Sequence, residues 1–126
     1  MSRILIIEDQ ADIRRLIRWT LEFEGYEIHE ASNGQAGLEQ ARAVRPELIM
    51  LDVMMPGGLD GFHVCAQLKA DPALASIPVV MLTARSQQRD RDASDRAGAN
   101  AFLAKPFSPL QLVQTVSGTL KQTTVA

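Results

Sequence analysis

Acids stand where two apolar runs stop: Glu8 and Asp9 follow residues 4–7, and Asp52 follows residues 48–51. Thr83 ends a third run, and Lys105 comes shortly after a fourth, Ala101-Phe102-Leu103. Gathered at one edge, three carboxylates repel one another by roughly 4 kcal/mol per pair at about 4 Å in a surface-like dielectric. Such a group needs a cation. A small divalent ion with oxygen ligands answers that need, and Mg²⁺ suits a site with few carboxylates, retained water and room for a phosphate oxygen. Lys105 adds a further positive charge. An aspartate beside such a cation is a competent nucleophile toward phosphorus, forming an aspartyl phosphate while metal and lysine stabilise charge on the transferring oxygens. The Thr83 hydroxyl then has a phosphoryl oxygen to bond.

Taken singly, each residue has a plainer explanation. Glu8 and Asp9 favour the positive end of a following helix, Asp52 closes a turn, a lysine near a loop is usually solvated, and Thr83 suits a helix cap. Joint placement at successive strand ends is what raises the chemical reading. His29 and His63 have no third ligand at zinc spacing, Met50, Met54 and Met55 read as packing, and Cys65 reads as a small buried hydrophobe.

Those strand ends follow from the hydrophobic pattern. Residues 4–7 and 48–51 are continuous, short and apolar, as strands buried on both faces of a parallel sheet are. Alternation predicts a strand at 26–30, and further strands are predicted at 77–82 and 101–103. Between them, Ile13, Leu16, Ile17, Thr20 and Leu21 recur at helical spacing, with Arg14, Arg15, Arg18 and Glu22 turned outward and Gly25 as the stop. Asn33 caps a second helix with the stripe Gly37, Leu38, Ala41 and Val44, and Pro46 closes it. Gly61, Val64, Cys65 and Leu68 mark a third, residues 86–96 a polar fourth, and Leu112, Val113, Val116 and Leu120 a fifth. Five strands alternating with five helices specify an α/β protein with right-handed crossovers, whose sites lie beyond the carboxyl ends of the strands.

At 126 residues the chain suits one domain, read as 1–122 with 123–126 as a frayed tail. A net charge of −2 offers no broad basic surface, which argues against direct nucleic-acid binding and against an anionic membrane. The start is too short in apolar residues for a signal peptide or membrane span, and one cysteine fits a reducing compartment, so a cytoplasmic location is expected.

Over its whole length the sequence resembles the receiver domain of response regulators in two-component signalling. The resemblance is carried by Ile-Leu-Ile-Ile-Glu-Asp at 4–9, Leu-Asp-Val-Met-Met-Pro at 51–56, Asp60-Gly61-Phe62, Met81-Leu82-Thr83-Ala84, Gly98-Ala99 and Lys105-Pro106-Phe107. It implies a flavodoxin-like sheet of order 2-1-3-4-5 flanked by five helices, with Asp52 as phosphoacceptor. It also implies Glu8, Asp9, Asp52 and the Met54 carbonyl as Mg²⁺ ligands, Thr83 and Lys105 as phosphate contacts, and Thr83 with Phe102 as the switch pair. A cis Lys105-Pro106 bond goes with it. The donor would be a sensor histidine kinase or a histidine phosphotransfer protein, and the chain a phosphoacceptor and not an enzyme acting on outside substrates. Output would pass to a downstream protein through the face of the fourth helix, fifth strand and fifth helix. The chain would act as a single-domain regulator or phosphorelay intermediate, or else as the N-terminal receiver of a longer regulator.

Three departures from the family pattern stand out. The loop after Asp52 is one residue longer, His63 replaces a common acid, and Asn100-Ala101 stand where DNA-binding members carry an acidic pair. The last departure predicts a monomer or weak dimer. Two rival readings fit the residues less well. A phosphatase of the haloacid dehalogenase type needs a second acid where Met54 stands, and an FMN carrier needs a phosphate loop where Glu8 and Asp9 would repel it. No Walker or Gly-x-Gly-x-x-Gly loop follows any strand.

Overall fold

The structure, a computed structural model, describes residues 2–53, 60–83 and 98–124. Strands β1 (Arg3–Ile7), β2 (Glu27–Ala31), β3 (Leu48–Asp52), β4 (Val79–Thr83) and β5 (Ala101–Ala104) form one parallel sheet in the order β2-β1-β3-β4-β5. This is the implied order. Four helices are described, α1 (Ala11–Phe23), α2 (Gly34–Val44), α3 (Gly61–Ala70) and α4 (Pro109–Thr124). The helix predicted at 86–96 lies outside the described residues, so the expected count of five is matched only by four.

Each strand feeds two cores because its side chains alternate between faces. Leu5, Ile7, Ile49, Leu51, Val79 and Met81 pack with Leu38 and Ala41 of α2 and with Val64, Cys65 and Leu68 of α3. Ile4, Ile6, Leu48, Met50, Val80 and Leu82 pack with Ile17 and Leu21 of α1 and Leu112 and Val116 of α4. The unbroken apolar runs in β1, β3 and β4 are thus explained: both faces are covered.

Two strand boundaries shift for local reasons. The Tyr26 amide donates to Leu21 at the end of α1, so β2 begins at Glu27, and the Ile77 amide donates to Leu74 in a turn, so β4 begins at Val79. Asn33 caps α2 as predicted, its Oδ1 accepting from the Ala36 amide at 2.8 Å. On α1 the predicted buried stripe is wrong in part. Ile17 and Leu21 are buried, but Leu16 is 43% exposed. The sheet and α4 cover the side of α1 that carries Ile17 and Leu21, and Leu16 falls beyond the edge of that arc.

Candidate functional site

The register of the sheet brings the carboxyl ends of the strands to one edge. Ile7 is level with Leu51, Asp52 with Leu82, and Thr83 with Ala104. The residues that follow β1 and β5 therefore converge on Asp52. Carboxylate oxygens of Glu8, Asp9 and Asp52 lie within 4.8 Å of one another. Lys105 Nζ donates to Glu8 Oε1 at 2.7 Å and to Asp52 Oδ1 at 3.2 Å. Glu8 and Asp52 are buried, Asp9 is half-buried, and the Lys105-Pro106 bond is cis.

Several backbone contacts set this geometry. The Glu8 amide donates to Ala31 at 3.1 Å and the Lys105 amide to Thr83 at 2.6 Å, extending the ladders past both strands. Gly61 lies so close beneath the site that a Cβ there would stand 2.2 Å from the Asp52 carbonyl oxygen and 2.7 Å from Val53 Cα. Only glycine admits that approach. The Asp60 side chain caps α3 by accepting from the His63 amide at 2.9 Å, fixing where Gly61 sits.

Three acids facing one lysine leave an excess of negative charge. Burial, aided by the hydrogen bond shared with Asp52, pushes the Glu8 carboxyl from 4.5 up to about 7, against the pull of Lys105. Asp9 goes the other way: burial opposes it, but hydrogen bonding shared with Glu8 and Asp52 holds it below the usual aspartate range. Burial likewise opposes the Lys105 ammonium, yet its bond to Glu8 and the charge of Asp52 keep it above the ordinary lysine value. Near neutrality a proton on Glu8 relieves the crowding. A hard divalent cation would take that proton's place on the same oxygens, so the donor set fits a metal.

Sequence reasoning missed one contributor. Arg14, predicted to face outward, is only 21% exposed in its side chain; it donates to the Glu8 carbonyl at 2.9 Å and to Glu30 Oε1 at 3.0 Å. It ties the turn carrying Glu8 and Asp9 to β2. The signal was faint, since a buried guanidinium needs a partner acid and Glu30 lies on another strand. Thr83 is buried at the end of β4, the strand between β3 and β5, and Phe102 is half-buried on β5 against the α2/α3-side core. Met54 lies outside the described residues.

Residues 4–117 match the family profile described as the response regulator receiver domain. The chain belongs to the response regulator receiver family. This receiver domain is 40% identical over 121 residues to the transcriptional regulatory protein ResD of Bacillus subtilis (strain 168), covering 96% of the chain and 49% of ResD. It is 42% identical over 123 residues to the DNA-binding dual master transcriptional regulator RpaA of Synechocystis, covering 98% of the chain and 51% of RpaA. Its fold matches the chemotaxis protein CheY4 of Vibrio cholerae with a TM-score of 0.90 at 29% identity, over 94% of this chain and 98% of that one.

These relatives correct the partner set expected above. The receiver spans about half the length of ResD and RpaA, and RpaA is named as DNA-binding. An expectation of no nucleic acid in the output does not stand. The net charge of −2 belongs to these 126 residues, whereas ResD and RpaA each carry about as much chain again outside the matched segment. No described helix is long and apolar enough to cross a membrane.

Proposed function

We propose that this receiver domain takes a phosphoryl group onto Asp52 from a histidine kinase or a histidine phosphotransfer protein, and that the modification alters what the domain binds. The observation that carries this reading is the buried convergence of Glu8, Asp9 and Asp52 on the ammonium of Lys105. An Asp52 carboxylate oxygen attacks phosphorus, the bond from phosphorus to the donor nitrogen breaks, and the leaving imidazole is protonated from solvent. Held by Glu8, Asp9 and Asp52, with the Met54 carbonyl as the resemblance implies, Mg²⁺ would neutralise charge on the phosphoryl oxygens. Lys105, which already bonds Asp52, passes a hydrogen bond to a phosphoryl oxygen.

Thr83 stands on the strand between Asp52 and Lys105, and its hydroxyl donates to another phosphoryl oxygen. Movement of Thr83 leaves space for Phe102 on the adjoining strand to turn inward, which converts a local bond into a changed surface. The domain acts on no outside substrate and catalyses only its own phosphorylation and slow dephosphorylation, in the cytoplasm where its donor works. The double length of ResD and RpaA favours its role as the receiver of a longer transcriptional regulator over that of a lone relay module.

Acetyl phosphate with Mg²⁺ tests this directly. Intact-mass spectrometry should show a single phosphoryl group, absent when a chelator removes the metal and absent in Asp52→Ala. Label that persists in Asp52→Ala would refute the assignment.

A further inference from the structure

Glu8 is held at both of its backbone polar groups. Its amide donates to Ala31 of β2 at 3.1 Å, and its carbonyl accepts from Arg14 Nη1 at 2.9 Å. That carbonyl belongs to the peptide joining Glu8 to Asp9, so the planar unit it orients lies between two of the three acids gathered at the site. A rotated peptide would turn those two carboxylates apart. Arg14 is placed for this contact by a second bond, from its Nε to Glu30 Oε1 at 3.0 Å, and the rigid guanidinium fork directs one bond once the other is made.

A positive charge beside a cation site ordinarily weakens cation binding. Here that charge is balanced. Glu30 takes Arg14 on one carboxylate oxygen and Arg18 on the other, and Glu22 accepts from Arg18 Nε at 3.2 Å, so two guanidinium groups face two carboxylates. The Glu8 carbonyl thus gains a strong donor while the site gains no net charge from it.

We propose that Arg14 is a positioning residue for the metal: it sets the Glu8–Asp9 peptide so that both carboxylates face Asp52, with Glu30 orienting the guanidinium and balancing its charge. The proposal rests on the reading of the three acids as a Mg²⁺ site. Arg14 acts through the backbone and is not itself a ligand. Its removal has two opposed consequences for the cation, and their signs separate them. Loss of a positive charge tightens Mg²⁺, whereas loss of a held peptide loosens it.

Isothermal titration of the intact chain with Mg²⁺ decides between them. Arg14→Ala should raise the Mg²⁺ Kd by about tenfold, the lower end of what loss of a residue orienting a metal ligand brings. Arg15→Ala is the control, since Arg15 is exposed on the same helix and its loss changes the charge equally. It should leave Kd at or slightly below that of the parent. Arg14→Gln isolates the Glu8 bond, because its amide nitrogen stands about where Nε does and nothing replaces Nη1; it should also weaken Mg²⁺, and it carries the test if Arg14→Ala does not fold. In acetyl phosphate labelling, the half-saturating Mg²⁺ concentration should rise with Kd, and the rate at saturating Mg²⁺ should fall far less. A readout without metal completes the series: in chelator, the Glu8 carbonyl carbon resonance should move in both Arg14 variants and stay in place in Arg15→Ala. Arg14 variants that bind Mg²⁺ as tightly as the parent, or more tightly, would overturn the proposal, as would an equal loss in Arg15→Ala. A parent that binds no Mg²⁺ would instead overturn the reading of the site, and this proposal with it.

Discussion

At the carboxyl edge of the sheet, the acids Glu8 and Asp52 sit buried, while on the outer face of the helix that starts just beyond Asp9, Trp19 and Phe23 lie in water. Both regions depart from the ordinary partition of polar and apolar groups, in opposite directions. The buried acids are held because a lysine and a shared proton compensate them, and the crowding leaves them receptive to a cation. The exposed rings carry no such internal compensation; they lie on the arc of that helix which the rest of the fold leaves uncovered. Buried charge is thus settled by partners within the chain, and exposed apolar surface by where an element comes to lie in the fold.

The contrast can be broken most sharply by equal truncations. Leu51 is fully buried just before Asp52, and Leu51→Ala should cost about 2–5 kcal/mol in urea unfolding, since transfer and cavity terms add. A loss below about 1 kcal/mol would mean that the edge beneath the site is not the packed core described.

Glu8 sharpens the charged half. Its carboxyl, raised from 4.5 to about 7, binds a proton more tightly folded than unfolded, so its contribution is complete below 4.5 and is lost as pH rises to about 7. The metal-free domain should therefore lose on the order of 3 kcal/mol across that window. Glu8→Gln should flatten the slope and exceed the parent in stability above pH 7. Mg²⁺ should restore the parent there and do little for the variant. Asp9, held low, titrates in a more acid window and with the opposite sign. Melts in chelator at a series of pH values decide the matter, and a flat profile for the parent would count against the crowded-carboxylate account.

Gly61→Ala should cost roughly 1–3 kcal/mol, because the added Cβ meets backbone at Asp52 and Val53, which cannot swing aside as a side chain can. Thermal unfolding reads this, and slower labelling by acetyl phosphate should accompany it. The smallest effect is expected from Phe23→Ala, within about 0.5 kcal/mol in the same melts. A larger loss would show the ring to be packed within its own chain.

Much of this was legible in the residues. Unbroken apolar runs marked β1, β3 and β4 because both sheet faces are covered, and the period of the helices marked α2 and α3, whose buried residues match the predicted stripes except that Gly34 is buried as well and Val44 only half-buried. Glu8, Asp9, Asp52, Thr83 and Lys105 stood out because a parallel sheet delivers the ends of its strands to one edge. The rotation of α1 was not legible in the same way. A stripe at helical spacing defines an arc, and only the sheet and α4 decide which side of that arc is covered, leaving Leu16 outside and drawing Arg14 inward to Glu30.

By itself, the order of residues determined the alternation of strands and helices and which side chains end each strand, since these depend on local period and capping. Tertiary structure alone decided that Lys105 would bond Glu8 across 97 positions of chain, that Glu8 would keep a proton to about pH 7, and that Trp19 and Phe23 would face water. Distances, desolvation and exposure belong to pairs of elements brought together in space, and no single segment carries them.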